Sequence, residues 1–75
     1  MEISIEGKGN SIRTLVHGVS EFCTLHEKNP RDVAKLIGAK LGASTRYDET
    51  NDLFIVSGSW EHFNQEWFEQ LIQKS

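Results

Sequence analysis

Seventy-five residues, 37% hydrophobic and 25% charged, describe one small soluble domain (1–75), too short for two independent cores and too apolar for a disordered chain. A chain of this size buries only about 60% of its unfolded surface, which leaves little room for a deep substrate pocket and counts against an enzyme or a small-molecule substrate. The net charge of −3 argues against a general nucleic-acid binder, but it is unevenly spread: residues 29–48 carry four basic and two acidic side chains, residues 49–75 one and five.

In chain order, Ile3 and Ile5 alternate with polar residues, Gly7-Lys8-Gly9-Asn10 supplies turn chemistry, and Ile12, Thr14 and Val16 resume the period of two. That pattern predicts a β-hairpin. The acidic start, Met1-Glu2-Ile3-Ser4-Ile5-Glu6, lacks the basic residues and apolar run of a signal peptide, and no membrane-spanning stretch follows. With a lone cysteine that has no partner for a disulfide, the expected location is cytoplasmic. From Ser20 to Lys28, Phe22, Cys23 and Leu25 show no clean period, so a connecting segment with at most a helical turn is expected.

Asn29-Pro30-Arg31-Asp32 reads as a helix start, with Asn29 as N-cap, Pro30 at the first helical position and Asp32 at the positive end of the dipole. Val33, Leu36, Ile37 and Leu41 form its apolar stripe, and Gly42 ends it. Arg31 and Lys35 lie on the opposite, basic side. Ala43–Tyr47 reads as a third strand and Asp48–Asp52 as a polar reversal. The continuous apolar run Leu53–Val56 reads as a central strand with little solvent on either face. Ser59 is expected to cap a last helix whose apolar side holds Trp60, Phe63, Trp67, Leu71 and Ile72, with Phe68 at its edge, and whose outer face, with Glu66 and Glu69, is acidic.

The order β-β-α-β-β-α with short connections predicts an α+β two-layer sandwich, a four-stranded mainly antiparallel sheet with two helices on one face. Arg13, Leu15 and His17 are then the outward side chains of the second strand on the sheet's uncovered face.

The hairpin with its Gly/Asn-containing loop, the segment Thr14-Leu15-Val16-His17-Gly18-Val19, and the capped helix ending Ala39-Lys40-Leu41-Gly42-Ala43-Ser44 together resemble the eukaryotic translation initiation factor 1 family and its bacterial and archaeal relatives. In that family a Gly-Lys-Lys loop precedes a strand of the type Thr-Thr-Val-x-Gly-Leu, a helix ends Lys-Lys-Leu-Gly-Gly, and an apolar strand closes with Gln-Gly-Asp. Here Ser57-Gly58-Ser59 stands at that close, and the loop holds only two cations, Lys8 and Arg13. The resemblance implies the two-layer fold and binding of the small ribosomal subunit or its RNA through Lys8, Asn10 and Arg13 of the loop and Arg31 and Lys35 of the helix. Each missing cation removes part of the counterion-release drive for RNA binding.

No set of residues by itself points to catalysis. Cys23 and His26 have C-x-x-H spacing, but one cysteine and three histidines fall short of a structural zinc set, and no orienting group accompanies a Cys-His nucleophile. Gly7-Lys8-Gly9-Asn10 joins two strands and lacks the spacing of a phosphate loop. Asp48, Glu49 and Asp52 lack a calcium-loop pattern. Neither a cofactor nor a metal is therefore expected. The function expected is binding without catalysis: of RNA or the small ribosomal subunit, modulating translation initiation, or alternatively of a protein partner through the acidic last helix with Glu66 and Glu69, as a regulator or inhibitor.

Overall fold

A computed structural model describes residues 1–73. Four strands, β1 (Glu2–Glu6), β2 (Arg13–His17), β3 (Thr45–Asp48) and β4 (Leu53–Ser57), form one antiparallel sheet in the order β1-β2-β4-β3. Three helices accompany it: α1 (Val19–Leu25), α2 (Pro30–Leu41) and α3 (Gln65–Gln73). This is the α+β arrangement expected, with the apolar run of β4 in the interior of the sheet. The register carries Ile5, Thr14, Val56 and Thr45 across the four strands as one row, and Ile3, Val16, Phe54 and Tyr47 as the next. Both rows face the helices. Val16, Phe54 and Val56 are fully buried there, packed with Val19, Phe22, Cys23, Val33, Ile37, Phe63, Phe68 and Ile72 in one cluster.

The β1–β2 loop closes through a single 3-10 turn at Gly9–Ser11. Gly7 has φ of +106°, and a Cβ at that position would collide with the Ser11 carbonyl, so only glycine fits the reversal. Helix α2 runs as the sequence dictates. The Asn29 side chain accepts a hydrogen bond from the Arg31 N–H at 2.9 Å, and Gly42, in the left-handed region at φ 64°, donates its N–H to the Gly38 carbonyl.

Two helical segments depart from expectation. Residues 19–25 form a helix rather than a connector, because Val19, Phe22 and Cys23 fall at i, i+3 and i+4 and all three are buried. Leu25, at 74% exposed, is what breaks the apparent period. Helix α3 begins at Gln65, not after Ser59. Asn64 caps it, its Oδ1 accepting from the Trp67 N–H at 2.8 Å. Residues 60–64 are a tight irregular turn whose Trp60 and Phe63 rings stack at 6.2 Å between centroids. Within α3 the fully buried residue is Phe68 rather than an edge position, while Trp67 and Leu71 are half-buried.

Candidate nucleic-acid interface

The face of the sheet away from the helices is built from alternate residues: Glu2, Ser4 and Glu6 of β1, Arg13, Leu15 and His17 of β2, Leu53, Ile55 and Ser57 of β4, and Arg46 and Asp48 of β3. The outward placement of Arg13, Leu15 and His17 follows the strand alternation. The face is less apolar to solvent than its sequence suggests. Leu15 and Leu53 are each only 7% exposed. Ser4 Oγ and His17 Nε2 share a hydrogen bond of 3.1 Å across this surface.

All five residues marked for RNA contact are exposed, but they lie in two groups. Lys8 and Asn10 occupy the hairpin turn, beside Arg13 at the end of the sheet where Glu6 pairs with Arg13 and Arg13 with Ser57. Arg13 lies 3.9 Å from Glu6, with both side chains about half exposed, a geometry in which an ion pair contributes little. Arg31 sits at the other end. Its guanidinium donates to Glu49 at 3.0 Å, in the β3–β4 turn next to Asp48 and Leu53, which register with each other, and Leu53 with His17. Lys35 is one helical turn further along α2. Arg46 was not singled out from the sequence, although the alternation in Thr45-Arg46-Tyr47-Asp48 places it beside Ile55 on the same face as Arg13.

The β3–β4 turn is the best-organised polar cluster of the molecule. Asp52, with φ of 53°, accepts from the Ser20 N–H at 2.9 Å, the Ser20 hydroxyl at 2.8 Å and the Tyr47 hydroxyl at 3.3 Å. Its carbonyl accepts from the Gly18 N–H at 3.0 Å. Desolvation, with the Asp52 charge and hydrogen bond added, raises the Tyr47 phenol above its ordinary value. Asp48 accepts from the Asn51 side chain at 2.9 Å and from its backbone N–H at 3.3 Å, and these bonds hold its carboxyl below the usual range. Burial, reinforced by the Asp52 charge, pushes the Cys23 thiol up to about 11, so at neutral pH it is a protonated core group. Trp60 donates its indole N–H to the Ser57 carbonyl at 2.6 Å, and both tryptophans pack against the core. On α3, Glu66 accepts from Gln70 and Glu69 from Gln65 at one-turn spacing.

The molecule these observations define is a small α+β domain with an exposed cationic hairpin end and tryptophans given over to packing. It matches no established family profile, but it is similar to translation initiation factors. It is 38% identical over 58 residues to eukaryotic translation initiation factor 5 of Caenorhabditis elegans, covering 77% of this chain and 13% of the relative. It is 39% identical over 57 residues to that factor in Mus musculus, covering 76% and 13%. To a probable factor 5 of Schizosaccharomyces pombe it is 36% identical over 59 residues, covering 79% and 15%. The match therefore spans about an eighth of each of the first two relatives and somewhat more of the third. The similarity is thus to translation initiation factors, through a segment of factor 5, and it does not single out the factor 1 family to which the sequence motifs pointed.

Proposed function

We propose that this chain is a non-enzymatic binding protein of the translation-initiation machinery, cytoplasmic, which contacts the RNA of the small ribosomal subunit through Lys8, Asn10 and Arg13, with a second contact at Arg31, by the opposite end of the sheet, and Lys35, one helical turn along α2 from it. The observation that carries this reading is the similarity to factor 5 over three-quarters of the chain. Two features support the residue assignment. The hairpin turn projects its cation and amide into solvent, and Arg13 is tied to Glu6 only loosely. The sequence motifs that resemble the factor 1 family imply contact of the same loop and helix with ribosomal RNA. The acidic face of α3 is engaged in its own glutamine hydrogen bonds and is the poorer docking surface.

Labelled protein titrated with purified small ribosomal subunits, and with an unrelated RNA, each at two salt concentrations, tests the reading. Saturable binding to the subunit is expected. Log affinity should fall with log salt at a slope of roughly −0.7 to −0.9 for each phosphate contacted. Lys8→Glu with Arg13→Glu should weaken binding and flatten that slope. Binding to neither RNA nor subunit overturns the proposal.

A further inference from the structure

The two edges of the sheet differ. At one, β3 lies beneath α2; at the other, no helix among the described residues packs closely over β1. Yet the residues β1 turns toward the helix side are apolar. Ile5 is 41% exposed and Met1 39%, and with Leu25 they are the large exposed hydrophobics among the described residues. Met1 and Leu25 line one shallow, mixed cleft with Gly18, Glu21, Phe22 and Gln65, which brings the Met1 end of β1 beside α1. On its other face β1 carries carboxylates at both ends, Glu2 and Glu6, around Ser4. The edge thus offers an outward-facing strand backbone, an apolar row exposed at Met1 and Ile5 and half-buried at Ile3 on one side, and on the other a row with Glu2 and with Glu6, which lies 3.9 Å from Arg13.

We infer that the β1 edge docks an extended protein segment in which apolar residues alternate with Lys or Arg, adding it to the sheet as a fifth strand. Alternation in such a segment places its apolar side chains beside Met1, Ile3 and Ile5 and its cations beside Glu2 and Glu6. A second copy of this chain is the wrong occupant. Glu2-Ile3-Ser4-Ile5-Glu6 reads the same in both directions, so antiparallel self-pairing about Ser4 sets Glu2 of each copy against Glu6 of the other. Like charges directly opposite one another oppose pairing, a device by which natural edges avoid self-association.

The test is a titration of isotope-labelled protein with a seven-residue peptide alternating lysine with isoleucine or valine, followed by backbone amide shifts. Shifts centred on residues 1–6 and the adjoining β2 and α1 positions are expected. Replacing the peptide's lysines by glutamate should weaken binding by about tenfold or more, as should Glu2→Lys with Glu6→Lys, or Ile5→Lys, in the protein. The peptide substitution leaves the fold untouched, so it decides the matter even if a protein variant unfolds. Shifts centred on other elements, or equal affinity for the lysine and glutamate peptides, overturn the inference. So does a concentration-dependent dimer in sedimentation that Ile5→Lys abolishes, which would give the edge to a second copy.

Discussion

Thr14 is the one fully buried polar side chain among the described residues, and it holds the segment after β4 in place. Its hydroxyl donates to the Gly58 carbonyl at 2.7 Å and accepts from the Trp60 N–H at 3.0 Å, so one atom fixes where the chain leaves the sheet. Thr14→Val keeps the shape and removes both bonds. A loss of about 1–3 kcal/mol is expected, seen as a lower urea midpoint with an unchanged slope. Thr14→Ser retains the hydroxyl and should recover most of it. Cys23 lies in the same core with a different chemistry. In the unfolded chain its thiol ionises near 9.0, in the folded chain near 11. Between those values the folded state binds more protons than the unfolded one, so this contribution is fully present below pH 9 and is lost as pH rises toward 11. Its size is of order 2 kcal/mol. Denaturation of the wild type and Cys23→Ala between pH 8 and 10.5 should show the steeper decline in the wild type.

At the scale of elements, the difference between α2 and α1 explains what the sequence does and does not disclose. The signals for α2 are local: Asn29 caps it, Pro30 opens it, and Gly42 closes it. The N-cap of α1 is Gly18, which offers no side chain, and the acceptor for its first turn is Asp52, thirty-two residues after Ser20. No reading of residues 18–28 alone finds that partner. The start of α3 was obscured differently. Ser59 has the chemistry of a cap, but the Thr14 hydroxyl holds the chain at Trp60 and defers the helix to Asn64. Because α1 is latched by one carboxylate, Asp52→Ala should destabilise the fold by about 1–2 kcal/mol. Hydrogen exchange should show faster opening of residues 19–25 while β4 keeps its protection. Asp52→Asn tolerates the positive φ better than alanine and keeps one acceptor, so it should fall between the two.

At the scale of the whole molecule, the exposed cations were legible as residue types on turns and helix faces, but their grouping was not. Grouping depends on how α2 lies over the sheet, which the long-range register sets. The result separates Lys8 and Arg13 from Arg31 by the length of the sheet. A five-residue strand at about 3.3 Å per residue spans roughly 16 Å, twice the Debye length of about 8 Å at physiological ionic strength. On the RNA proposed above, the two groups would therefore act as independent sites, and their free energies should add. Arg31 also shares its guanidinium with Glu49, an exposed pair that the phosphate of the proposed RNA would have to displace. In small-subunit binding, Lys8→Ala with Arg13→Ala should reduce the salt slope by roughly 1.4–1.8. Arg31→Ala with Lys35→Ala should reduce it by less, and the quadruple variant should show the sum. Glu49→Gln, which frees Arg31, should strengthen binding in the wild type and have no effect once Arg31 is alanine. If Glu49→Gln strengthens binding equally in both backgrounds, the effect is the loss of a negative charge alone, and Arg31 makes no phosphate contact.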